Sequence, residues 1–356
     1  MIREYGYEYN SLLRKDIFSI TQWKNTNKTL WGAYCLRSGR DALKFIAKTH
    51  AGATVYLPAL CCDSMITPFE KYGCRVVFYR LNDSLTVHFP SLLKGLQSNN
   101  GVKLLLFCDY FGISMIEPDQ LVQLKSCCNN LILINDITHH LLSANAIESC
   151  FDYTIASLRK WLGIPDGGLL WSNRELKSIE LFEEHGFAEL RLQAQCMRTE
   201  YFLTEDENLK ASYRQIFSTV SSLLDDDLLP RKMTEYSYCV AESTDWSLVK
   251  NKRRENADIL INIFAKNSKI KIINRGITKS DLYVPILIKN RDEIQKNLSS
   301  QGIFNTIIWP LRNEQTRVCS TAKFVSENML AVPCDQRYSK DDMLFVGSNL
   351  ERIIDE

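Results

Sequence analysis

The feature that most constrains this chain is an alternation of strand-like and helix-like segments that begins at residue 40. RDALKFIAKTH has helical spacing, with Leu43, Ile46 and Ala47 on one face, and TVYLPA reads as a strand. CDSMITPFEKYG reads as a helix closed by Gly73, RVVFYRL as a strand, FPSLLKGLQ as a helix and VKLLLFCDY as a strand. EPDQLVQLKSCC, with Pro118 in its first turn, reads as a helix; LILIND, FDYTIAS and GLLWS read as further strands. These strands are continuous apolar runs, so both of their faces are buried. The pattern predicts an α/β fold with a mostly parallel sheet covered by helices on both sides.

Residues 173–230 read as helical, with LLDDDLLP a loop leaving a helix. From about residue 246 the alternation restarts. WSLVKNKRRENADILINIFAKN is a helix, LYVPILIK a strand, RDEIQKNLSSQGI a helix and NTIIWP a strand; MLAVPC is a short strand and SKDDMLFVGSNLERIIDE a closing helix. A chain of 356 residues exceeds what one compact core usually holds. The expected division is a large domain over residues 1–245, including an N-terminal arm, and a smaller C-terminal α/β domain over 246–356. No internal repeat stands out.

A formal net charge of +1 gives no electrostatic reason to expect nucleic acid or an anionic membrane as partner. MIREYGYEYN has no apolar signal core, and no apolar run is long enough to span a bilayer. The twelve cysteines include the adjacent pairs Cys61-Cys62 and Cys127-Cys128 but no C-x-x-C spacing, and there are only five histidines. Reduced, mostly buried thiols in a cytoplasmic protein without a metal site are the expectation.

In open parallel sheets, ligands bind beyond the carboxyl ends of the strands. Three features fall there. Ser38-Gly39-Arg40-Asp41 opens a helix whose N-terminus suits a phosphate, with Arg40 able to add a charge-assisted contact; a plain Ser cap is the simpler alternative. Asp136 ends a buried strand and needs a cationic or hydrogen-bonding partner, such as a protonated heteroaromatic nitrogen. His139 lies close enough to meet the same ligand, whereas His140 reads as structural. Ser157 ends another strand, and Lys160 follows among Trp161, Leu162 and Ile164. Apolar surroundings favour a neutral, nucleophilic amine able to form a Schiff base with an aldehyde, although a single lysine is usually a surface residue. Asp166-Gly167-Gly168 supplies a tight turn back into the sheet. Phosphate turn, buried carboxylate and lysine, in this order, match the phosphate, ring nitrogen and aldehyde of pyridoxal 5′-phosphate.

With these residues in view, the sequence resembles the fold-type I pyridoxal-phosphate enzymes, and is most similar to the DegT/StrS-type sugar aminotransferases. The resemblance runs through SGRDAL, VYLPALCCDSMITPFEKYG, DYFG at 109–112, INDITHH, S-x-x-K at 157–160 and DGG. It continues in the C-terminal RREN, NRD, GI…WP and LAVPCDQRYS. It implies a seven-stranded-type sheet. It implies that Ser38, Gly39, Arg40 and Ser157 lie at the cofactor phosphate and that Asp136 pairs with the pyridine nitrogen. His139 would lie near the ring hydroxyl, and Lys160 would hold the cofactor and shuttle the proton. Cys62 stands where the family usually places a stacking aromatic ring, and Arg40 where Thr or Ser is more usual. The Ser157–Lys160 spacing is short for the family, and no GYN-R segment is found between residues 195 and 245. The implied reaction is amino transfer from glutamate to a keto group on a nucleotide-linked sugar, in a homodimer. Arg253, Arg254, Arg291, Arg312 and Arg337 are candidates for a substrate carboxylate or diphosphate, and Trp309 for the pocket wall. Alternatives are another reaction on the same cofactor (dehydration, racemisation, decarboxylation) or a non-catalytic ligand-binding descendant.

Overall fold

The structure, a computed structural model, describes residues 4–11, 24, 26–143, 150–174, 180–273 and 282–356. Its centre is an eight-stranded sheet. Five strands run parallel: β4 (Thr54–Pro58), β5 (Arg75–Tyr79), β6 (Lys103–Cys108), β7 (Leu131–Asp136) and β8 (Tyr153–Ala156). Next to β8 lies β9 (Gly168–Ser172), antiparallel, then β3 (Ala33–Leu36) and its hairpin partner β2 (Thr29–Leu30), giving the order β2-β3-β9-β8-β7-β6-β4-β5. The expected sheet is therefore present, with the two-residue β2 added at one edge. All six residues of β6 are buried, which is what a continuous apolar run between two helical layers requires.

The chain passes from β4 out to the edge strand β5 and returns to β6 on the other side of β4. Such a reversal opens a crevice at the carboxyl ends of the strands. Helix α1 (Gly39–Thr49) packs over β9 and β8, α2 (Asp63–Lys71) follows β4, α3 (Phe89–Gln97) follows β5, and α4 (Pro118–Cys127) joins β6 to β7. A hairpin of two long helices, α5 (Phe187–Thr204) and α6 (Glu207–Asp226), then crosses beside the crevice. Its turn is fixed by Asp206, whose side chain accepts the Asn208 N–H at 2.9 Å. Among the described residues of 173–204, helicity begins at Phe187: residues 180–186 are not helical, with Phe182 bridging Arg231 and Gly186 left-handed. Helix α7 (Glu235–Ser243) follows the hairpin.

The C-terminal part holds a three-stranded antiparallel sheet of β10 (Lys271–Ile272), β11 (Tyr283–Leu287) and β13 (Met329–Pro333). Helices α8 (Trp246–Phe264), α9 (Arg291–Ser300) and α12 (Lys340–Asp355) pack with it. Gly347 is what lets α12 approach α8, because a Cβ there would lie 2.5 Å from Ile263 Cδ1. The N-terminal β1 (Tyr5–Gly6) pairs in parallel with β12 (Ile303–Phe304). The expected strand NTIIWP does not form. After β12 only Thr306 bridges to Ala331, because the chain then turns to put Ile308 into the large core and Trp309 against His139. Two helices between this turn and β13, α10 (Asn313–Val318) and α11 (Ser320–Asn328), lie in a stretch to which the sequence pattern assigned nothing.

Candidate active site

Ser38 caps α1: its backbone is extended and its hydroxyl accepts the Asp41 N–H at 3.2 Å. The first N–H groups of the helix, at Gly39 and Arg40, are left without intrahelical acceptors. Two glycines allow this corner to close. A Cβ on Gly39 would sit 3.3 Å from Ser157 Cβ, and a Cβ on Gly168 would sit 2.1 Å from the Ser38 carbonyl carbon. The end of β8 and the start of β9 are thereby pressed against the helix start.

Asp136 and Cys108 are register partners at the ends of β7 and β6. One Asp136 oxygen, Oδ1, accepts the Thr138 N–H at 2.9 Å, and Oδ2 has no partner among the described residues. Thr138 is the hub here. Its Oγ1 accepts the Ser157 N–H at 2.9 Å and its carbonyl accepts Trp161 Nε1–H at 2.8 Å. One residue thus fixes the carboxylate, the serine and the turn that carries Lys160. The Lys160 ammonium makes no hydrogen bond or ion pair with any described residue.

His139 lies between the rings of Phe111 and Trp309, with centroids at 5.1 and 5.6 Å. Its Nδ1 accepts the Phe111 N–H at 3.5 Å, which puts the proton on Nε2. Burial, and then the Lys160 charge, hold its pKa well below the usual histidine value, so the ring is neutral. Burial likewise pushes the Cys108 thiol well up, and it stays protonated. His140 turns away and pairs with Asp109 at 3.5 Å.

Ser38, Gly39, Arg40, Cys62, Asp136, His139, Ser157 and Lys160 all line one cavity of about 550 Å3, its mouth included. The structure therefore brings together every residue that the sequence assigned to the cofactor, and Trp309 with them. Cys62 caps α2 and its Sγ meets Ser64 Oγ at 2.8 Å. The aromatic surface of the cavity comes from Trp309, 173 residues after Asp136 in the chain (309 − 136).

The arginine candidates fare differently. None of Arg253, Arg254, Arg291, Arg312 and Arg337 lines this cavity. Arg253 is buried and bonds Gln336 Oε1, Tyr9 Oη and backbone carbonyls; Arg337 forks onto Asp335; Arg312 joins Asp63 and Glu70. Arg291 bonds Asp292 and the Met329 carbonyl, and Arg254 lies 4.0 Å from Asp258. The arginines that sequence reasoning missed are Arg159, which lines the cavity beside Lys160, and Arg191 and Arg214, which with Arg159 and Lys160 line a second one. Arg159 had a signal, its adjacency to Lys160. The other two had none, because only the packing of α5 and α6 brings them there.

No protein-family model and no curated protein matches the sequence. Solved structures do. An aminotransferase of Helicobacter pylori involved in pseudaminic acid biosynthesis, PseC, aligns over 99% of this chain and 100% of its own, with TM-score 0.71 and 13% identity. The sugar aminotransferase Spr1654 of Streptococcus pneumoniae, solved in its pyridoxal-phosphate form, aligns over 99% of both chains with TM-score 0.71 and 14% identity. A DegT/DnrJ/EryC1/StrS aminotransferase of Brucella abortus covers 91% of this chain and 86% of its own, with TM-score 0.64 and 14% identity. Over nearly its whole length, the chain has the fold of these aminotransferases.

Proposed function

We propose that this chain is a pyridoxal-phosphate-dependent aminotransferase that moves an amino group from glutamate to a keto group on a nucleotide-linked sugar. The observation that carries the reading is one cavity holding three unfilled functions: an unpartnered lysine, a carboxylate with a free oxygen, and a helix N-terminus closed by two glycines. They match the aldehyde, ring nitrogen and phosphate of the cofactor. The buried, unpartnered Arg40 Nε at the phosphate corner fits the same group.

Bound there, the cofactor supplies an aldehyde that accepts the amino group and a ring that takes up the electron pair left when the substrate C–H bond breaks. The protein does the rest. The Gly39 and Arg40 N–H groups at the start of α1, which Ser38 caps, and the Ser157 hydroxyl at the end of β8 would hold the phosphate. Asp136, oriented by Thr138, keeps a proton on the ring nitrogen through a charge-assisted hydrogen bond. Neutral His139 offers Nε2–H to the ring hydroxyl. Lys160 takes the proton from the substrate carbon of the donor and returns it to the acceptor. Trp309, with His139, walls the cavity with rings and keeps water from the reacting carbon.

Added pyridoxal phosphate should give the purified protein a visible absorption band that Lys160→Ala does not form. Glutamate should then bleach the wild-type band. A wild-type protein without a band overturns the reading, and a band indifferent to glutamate overturns the donor. The reading carries the expected homodimer with it, which sedimentation of the loaded enzyme checks. Buried free thiols such as Cys35, Cys61, Cys108 and Cys319 support a reducing compartment, and we place the enzyme in the cytoplasm. Among the described residues no helix is long and apolar enough to cross a membrane.

A further inference from the structure

Lys160 borders two cavities. The second, about 1010 Å3 with its mouth, is bounded by the N-terminal segment, by α5 and α6, and by Arg159; Asp136 does not reach it. Its chemistry is that of an anion site. Arg191, 4% exposed, lines it and pairs with Glu8 of the N-terminal segment, while its Nε is buried without a partner. Arg214 lines it too, pairs with Glu4 at 3.3 Å, and also has an unpartnered buried Nε. Ser218 and Ser221, on one face of α6, add hydroxyl groups.

The charges around Lys160 balance, with one exception. Arg37 is matched by Asp41 and Asp227, and Arg40 by Asp225 at 2.5 Å. Arg159 forms no hydrogen bond or ion pair through its side chain with any described residue, and its Nε is buried. Burial, then repulsion from Arg191, pushes its pKa down to about 9. Glu8 and Asp41 offset part of this from a distance, but no carboxylate of the described residues touches the half-buried guanidinium, so an arriving anion recovers the rest of the desolvation cost.

We propose that Arg159 and Arg191 form a subsite for an oxyanion carried by the substrate, carboxylate or phosphoryl, in the second cavity, with Glu8 acting as an internal competitor for Arg191. The inference rests on Lys160 being the reacting amine. A guanidinium fork matches either oxyanion, and Arg159, next in sequence to Lys160, would set the distance between that anion and the reacting carbon. Glu8 keeps Arg191 aimed while the cavity is empty.

The test is calorimetric titration of the cofactor-loaded protein with two unreactive probes, glutarate for the donor carboxylate and inorganic phosphate for a phosphoryl group. Loading fills the cofactor's own phosphate corner, so phosphate reads only the second cavity. Arg159→Gln and Arg191→Gln should weaken the probe that binds by about tenfold or more. Glu8→Gln should strengthen it several-fold, and Arg254→Gln, on α8 and lining neither cavity, should change nothing. Whichever probe responds names the source of the anion. If neither probe binds the wild type, or if the variants bind as the wild type does, the subsite is overturned. It is also overturned if Arg159→Gln weakens loading of pyridoxal phosphate relative to pyridoxal and leaves the probes unaffected, since Arg159 then serves the cofactor. Should an arginine variant fail to fold, Arg191→Lys and Glu8→Gln decide in its place. A wild type that shows no cofactor band fails the proposed function, while the response of glutarate to Arg191→Gln and Glu8→Gln, which line only the second cavity, still decides the subsite.

Discussion

At the scale of single residues, His139 shows how the site trades stability against pH. The ring is fully enclosed between Phe111 and Trp309, with a cationic Lys160 nearby, and its folded pKa is depressed well below 6.5. In the unfolded chain the same ring takes up a proton below about 6.5. Below that pH the unfolded state therefore binds a proton that the native state refuses. Stability from this group is complete above 6.5 and is lost as pH falls, at about 1.4 kcal/mol per pH unit. His139→Gln removes the titration and keeps a hydrogen-bonding side chain. Denaturant unfolding of cofactor-free protein should then show the wild type losing about 1.4 kcal/mol more than the variant between roughly pH 7 and 5.5. Equal losses in both proteins would mean that the ring is protonated in the fold.

At the scale of elements, the start of α1, the end of β8 and the start of β9 form one corner, and Gly168 is its tightest point. A methyl group there overlaps the Ser38 carbonyl carbon, which is backbone and has nowhere to go. Gly168→Ala should lower unfolding stability by about 3 kcal/mol. It should also weaken pyridoxal phosphate loading more than pyridoxal loading, because the phosphate corner opens first. This corner was legible in the sequence. Ser38-Gly39 announces a helix start, the apolar runs LLLF and ILI announce buried parallel strands, and Asp136 and Ser157 sit where such strands end. What the sequence hid were contacts made across the chain. NTIIWP has the composition of a strand, yet tertiary packing of Ile308 and Trp309 overrides its propensity. Arg191 and Arg214 lie in a stretch that reads as helical with a mixed charged surface, and nothing local says that a hairpin turns them toward Lys160. Arg253 had the opposite fate, being picked for its charge and found bound to backbone.

At the scale of the whole molecule, Arg253 accounts for how the two halves hold each other. It projects from α8 and touches three separate regions. Its guanidinium meets the Trp161 carbonyl just after Lys160, at 3.3 Å, and lies 4.8 Å from the Trp161 ring centroid. It bonds Tyr9 Oη of the N-terminal segment at 2.5 Å. On the C-terminal side it reaches Gln336 Oε1 at 2.8 Å and the Leu282 carbonyl at 3.3 Å. The N-terminal segment repeats the same connection: Tyr5 and Gly6 pair with β12, and Glu4 meets Arg198, Arg214 and Tyr213 at 3.2–3.3 Å. Arg253→Met keeps the stem and much of the packing on Trp161, but strands buried carbonyls that the guanidinium had satisfied. Each buried group left unpaired costs about 1–3 kcal/mol, so a loss of about 3 kcal/mol is expected in denaturant unfolding. If Arg253 held the substrate instead, the variant would keep its stability and lose affinity for the oxyanion probes. The arrangement around Trp161 predicts the reverse: a lower unfolding midpoint, and probe binding close to that of the wild type wherever the variant is fully folded.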